Sequence, residues 1–248
     1  MSIWRLEWLR AWRTRRIVAL GAIFLILGLG SPVLTYYLPE IVKNSNNSGV
    51  QIAVPKQTAA DGIRSFTGNL AQLGTLVVAI VASASLAFDA QPALSAFYRT
   101  RLQSSARLVL PRMAVVGGAT EAMLALGFLG AWYETTVLLG SVSALGILAG
   151  FAVTSLWFCF VISVVAAVAS LLRSVLAVAG TSIGLLLALS LIGSLSSRFD
   201  WLPTKLAGSA ADVVMRQSSG VWPAVIAGVV ASIVATGFAL MQFSRREL

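Results

Sequence analysis

Long uncharged apolar runs alternate with short polar segments along the whole chain: Ile17 to Tyr37, Leu70 to Phe88, Val137 to Leu172, Ser174 to Ser197 and Val221 to Phe243. A helix of roughly 20 such residues covers the hydrocarbon core, at about 1.5 Å of rise per residue. A sixth run, Met113 to Trp132, has the same length and carries one acid, Glu121. The run from Val137 is too long for one straight helix. Splitting it in two would put Arg173, Arg245 and Arg246 on the outer side, so an approach segment near Val137 to Ala144 followed by one helix from Leu145 is preferred. The pattern predicts an all-α polytopic membrane protein with six transmembrane helices.

The polar intervals carry their own patterns. Ahead of the first span, Trp4, Trp8 and Trp12 recur every fourth residue on one side of a helix, with Arg5, Arg10, Arg13 and Arg16 over the rest. Indole rings at headgroup level and arginines beside anionic lipid predict a helix over residues 1–16 lying in the membrane interface. Leu38 to Asn69, with Pro39, Asn44, Asn46, Asn47 and Pro55, predicts an external loop. Residues 89–112 mix Leu94, Phe97 and Tyr98 with Arg99 and Arg101 after Pro92, as a short partner-binding helix would. Residues 197–220 hold Phe199, Trp201 and Pro203 and a short helix around Ala210 to Met215, an outer segment that dips back toward the bilayer.

Composition narrows the picture. With 58% hydrophobic and 11% charged residues, the chain is unlike a soluble domain, which carries about a quarter charged residues. Residues 1–248 read as one membrane domain, without a soluble catalytic unit. The net charge of +9 reports topology. With both termini cytoplasmic in a plasma (inner) membrane, the basic clusters at residues 5–16 and 99–112 and at Arg173, Arg245 and Arg246 lie inside. No basic stripe interleaved with exposed aromatics points to nucleic acid. Thr14-Arg15-Arg16 before an apolar run has the form of a twin-arginine export signal, but the run is span-length and no small-x-small site follows, so it reads as an anchor.

Chemistry is sparse. The chain has no His and one Cys, Cys159, which leaves no His-dependent nucleophile, zinc cluster or disulfide framework. No catalytic residue, cofactor-binding residue or metal ligand is assigned. Glu121 stands out, because a carboxylate within a span costs roughly 2 to 4 kcal/mol unless paired, hydrated or protonated; it marks a substrate-pathway contact, a proton site or a structural hydrogen bond. Gly146-x-x-x-Gly150 and the group Gly180, Ser182 and Gly184 permit close helix approach, within the chain or between subunits.

Taken in order, these features resemble the permease subunits of type-2 (ABC-2) ABC exporters. The likeness rests on Leu6-Glu7 with Arg10, Arg13, Arg15 and Arg16 before the first span, on Pro32 and Pro39-Glu40 ending it, and on Asp89 with Phe97-Tyr98-Arg99-Thr100-Arg101. Leu110-Pro111-Arg112 and Trp201-Leu202-Pro203 before the last span complete it. It implies an elbow helix carrying Trp4, Glu7, Trp8, Arg10 and Trp12, and a cytoplasmic coupling helix where Asp89, Phe97, Tyr98, Arg99 and Arg101 meet a separate ABC ATPase subunit. It also implies a second permease subunit, identical or paralogous, and a substrate route between the two. The chain has no Gly-x-x-x-x-Gly-Lys-Ser/Thr loop, so ATP and Mg would belong to the ATPase and this subunit would not be an enzyme. The family's Glu and Gly-Thr pair in the coupling segment are replaced by Asp89 and no Gly-Thr. Lipophilic drugs, including those of multidrug efflux, lipids and peptides all suit such spans as substrates. The alternative is a secondary transporter or channel without an ATPase, for which matched broken spans and several buried ionisable groups would be expected. A membrane scaffold or sensor is a third possibility.

Overall fold

A computed structural model describes residues 3–45, 55–87, 106–196, 199–216 and 220–245. Its elements are α1 (Ile3–Arg13), α2 (Arg16–Ser45), α3 (Ala59–Asn69), a π-helical turn (Leu70–Gly74) and α4 (Thr75–Leu86). These are followed by α5 (Ala106–Leu138), α6 (Ala144–Ala169), α7 (Val175–Leu195), α8 (Thr204–Val214) and α9 (Trp222–Arg245). Among the described residues there is no strand. Among the described residues, six helices are long and apolar enough to cross a membrane: α2, the continuous α3–π–α4 rod over Ala59–Leu86, α5, α6, α7 and α9.

The spans outrun the apolar runs that announce them. α2 continues through Pro32 and Pro39 to Ser45, where the sequence suggested an end at Tyr37. Near Pro32, the Asn69 amide donates to Ser31 Oγ at 2.9 Å, tying α2 to α3. The second span begins at Ala59, inside the stretch read as an external loop. Thr58 and Asp61 form a reciprocal capping box there, with Thr58 N–H donating to Asp61 Oδ2 at 2.9 Å, so a polar sequence starts a helix. α6 starts where expected. The Ser143 hydroxyl accepts from Gly146 N–H at 3.1 Å and caps it.

α6 is the axis of the bundle: two-thirds of its most apolar window (67%) is buried, against 17% for α7 and for α9. Its Phe158 stacks on Phe24 of α2 with centroids 5.6 Å apart, and its Phe151 meets Phe128 of α5 edge-on at 5.8 Å. Phe128 in turn packs edge-on against Phe66 of α3, so two groups of aromatic contacts tie α6 to α2, α5 and α3. α2 and α5 share the most extensive contact. A methyl at Gly28 would run into the carbonyl oxygen of Gly127, and one at Gly127 would lie 2.9 Å from that of Phe24. The short α8 folds back onto α6, burying Leu206, Ala210, Ala211 and Val214. Gly146 and Gly150 admit it, since side chains there would strike Val214 and approach the Ala210 carbonyl. That glycine pair therefore serves a contact within the chain. Gly180 and Gly184 of α7 face open space, whereas Ser182 is buried.

Candidate functional site

At the amino-terminal end of the bundle, α1 presents Trp4, Trp8 and Trp12 outward, all exposed, while its other side packs on α5. Glu7 lies on the packed side. Its Oε1 accepts from Arg112 Nε at 2.8 Å, with side chains only 7% and 4% exposed. Arg10 is half-buried nearby. Arg15 adopts a left-handed backbone (φ 55°), which turns the chain sharply from α1 into α2. Arg16 then donates from Nη1 to Ser85 Oγ at 2.8 Å, joining the start of α2 to the end of α4. The start of the first span, the end of the second and the start of the third are thus pinned together. Asp89, Phe97, Tyr98, Arg99 and Arg101, with the proposed coupling helix, lie outside the described residues.

A cleft of about 710 Å³ opens on the opposite half of the molecule, between the second span and α7, with α8 above it. The π-helical turn at Leu70–Gly74 forms one wall and exposes Gln72 to the cleft. π-turns inside helices recur at functional sites, because one extra residue per turn re-aims the side chains that follow. Below Gln72, Trp157 Nε1 of α6 donates to Thr75 Oγ1 at 2.9 Å and closes the floor. Leu76, Leu186 and Leu187 make the walls apolar, with Ser190 of α7 and Thr204 of α8 added toward the rim. At the far end Arg64 of the cleft pairs at 3.3 Å with Asp212 of α8, which lines an adjoining hollow. That hollow, of about 290 Å³, shares Ser190, Thr204 and Gly208 and holds Lys205, which donates to Asp200 at 2.8 Å. The combination is amphipathic: apolar walls, neutral hydrogen-bonding groups at depth, and charges of both signs at the rim.

Glu121 does not line this cleft. It sits on α5 facing Ser155 and Cys159 of α6, with Oε1 3.9 Å from Cys159 Sγ. The sequence reading singled out Glu121 and passed over Gln72, Thr75 and Arg64. A lone amide inside an otherwise apolar run was the available signal for Gln72. Among the described residues, no group of three or more His, Cys, Asp and Glu side chains is placed to hold a metal ion.

Over 221 residues the chain is 26% identical to the uncharacterized transmembrane protein YxlG of Bacillus subtilis (strain 168), the match covering 87% of this chain and 84% of that one. The likeness to a transmembrane protein runs nearly end to end, as the six apolar helices do. This is a multi-pass membrane protein. No family model matches it, and neither does any solved structure.

Proposed function

We propose that the chain is the permease subunit of an ATP-driven exporter, coupled to a separate ATPase subunit and paired with a second permease. The observation that supports this reading best is the buried Glu7–Arg112 pair. It fixes an interfacial helix to the base of the third span, next to the segment that joins the second and third spans. With that end in the cytoplasm of a plasma-membrane protein, a push on residues 89–112 or on α1 reaches α2, α4 and α5 together. The cleft between the second span and α7 is the substrate route. Its volume falls within the range of small-molecule sites, roughly 300 to 1,000 Å³. The sparsely buried α7 flanks it and leaves a face for the second permease.

The test is purification from native membranes under mild detergent, with mass spectrometry of what accompanies the chain. A stoichiometric soluble protein carrying a nucleotide-binding phosphate loop is expected. Replacing Phe97 and Arg101 by Ala should then weaken its association and uncouple transport while leaving membrane insertion intact. Unchanged substrate-stimulated ATP hydrolysis in that variant would refute the coupling assignment. A secondary transporter is the second reading, favoured by the intramembrane carboxyl of Glu121; recovery of the chain alone, even after cross-linking, would select it.

A further inference from the structure

Among the described residues, no carboxylate lines the cleft between the second span and α7, and Arg64 is the one charged side chain that does. Asp212 of the adjoining hollow matches that guanidinium at 3.3 Å, and Asp200 matches Lys205 of the hollow at 2.8 Å. These charges cancel in pairs and leave none over for a ligand of either sign. Hydrogen-bonding groups are left over. Among the described residues the carboxamide of Gln72 and the hydroxyls of Ser190 and Thr204 have no hydrogen-bond partner, and Gln72 and Ser190 are exposed. They come from three elements, the π-turn, α7 and α8. Leu76 follows Gln72 by one turn, and Leu186 and Ile183 precede Ser190 by one turn and two, so polar groups and apolar wall share the same faces.

Water satisfies Gln72, Ser190 and Thr204 but not the leucines beside them. Displacing it from apolar wall is favourable in proportion to the area covered, whereas displacing it from a carboxamide or hydroxyl helps only if the ligand returns the lost hydrogen bonds. Carboxamides and hydroxyls both donate and accept, so the complementary group does both. A charged head would also shed its hydration without finding a free counter-charge. We infer that the cleft binds uncharged amphiphiles, with an alkyl or acyl chain against Leu76, Ile183 and Leu186 and a head of hydroxyl or amide groups among Gln72, Ser190 and Thr204. This rests on reading the cleft as the substrate route, though not on the ATPase, and it sets lipophilic cations outside the cargo.

The full-length protein in lipid vesicles provides the test, with a monoacylglycerol that carries a photoreactive diazirine near the end of its chain. Irradiation should label the peptides holding Leu76 and Leu186, as read by mass spectrometry. Unlabelled monooleoylglycerol at about ten times its dissociation constant should cut that labelling about tenfold. Oleyl phosphate and oleyltrimethylammonium at the same concentration should leave it nearly unchanged. Gln72→Met with Ser190→Ala keeps the bulk but removes two hydrogen-bonding groups, and at low probe concentration should lower labelling about tenfold or more. Gln242→Met, outside the cleft, should not. Equal competition by all three heads, or undiminished labelling in the double variant, would overturn the choice of head while leaving the cleft as a route. Labelling confined to other helices, whichever head the probe carries, would overturn the route as well. The comparison of heads needs no variant, so it decides even where the double substitution disturbs the fold.

Discussion

Glu7 and Arg112 stand 105 residues apart in sequence, yet they meet at 2.8 Å and are almost wholly enclosed. A buried ion pair adds little over a well-packed apolar pair, but removing one partner strands the other charge at about 3 to 5 kcal/mol. Glu7→Ala should therefore lower the thermal unfolding midpoint in detergent by several degrees. Glu7→Met combined with Arg112→Met should recover much of that loss. A single variant as stable as the parent would show that water reaches the pair.

The glycine crossing of the first and third spans predicts a second asymmetry. Gly28→Ala drives a methyl into the Gly127 carbonyl and should cost about 1 to 3 kcal/mol. Gly30→Ala, two residues on and facing open space, should be neutral or stabilise by about 0.5 to 1 kcal/mol. Unfolding midpoints of the two variants measured in the same detergent decide it.

In the cleft, Thr75→Val removes the acceptor for Trp157 Nε1 and leaves a buried indole N–H unpaired, at a cost of about 1 to 3 kcal/mol. Thr75→Ser keeps the bond and should behave like the parent. Gln72→Ala removes no bond that holds the fold together. It should leave stability unchanged and, under the exporter proposal, alter which compounds stimulate ATP hydrolysis by the complex with the proposed ATPase.

Arg64 and Asp212 join the second span to α8 while exposed. A double-mutant cycle should give a stability coupling of only about 0.2 to 1 kcal/mol, smaller at high salt.

The spans were legible in the sequence because hydropathy alone selects them, and the six expected match the six apolar helices among the described residues. Their lengths were not. Pro32 and Pro39 look like terminators, yet α2 passes through both. Asp61, Arg64 and Asn69 make residues 59–69 look like loop, although the capping box at Thr58 starts a helix there. Glu7 was legible as part of the interfacial helix, but its partner was not, since nothing local in Leu110-Pro111-Arg112 marks which acid it meets. The cleft was hidden for a related reason. It depends on a π-turn and on α8 folding back, and both are decided by packing across the bundle.

Where Gly28 meets Gly127, backbone touches backbone with no side chain between. Such a seam has nothing to repack, so it neither slides nor opens by small steps. The first and third spans form a single plank, and Glu7–Arg112 nails α1 to the same timber. In the proposed exporter, a stroke that widens the cleft would be taken up on the other side, at the sparsely buried α7. If the chain exports as proposed, a covalent cross-link between α2 and α5 would leave transport running, whereas one between α4 and α7 would stall it.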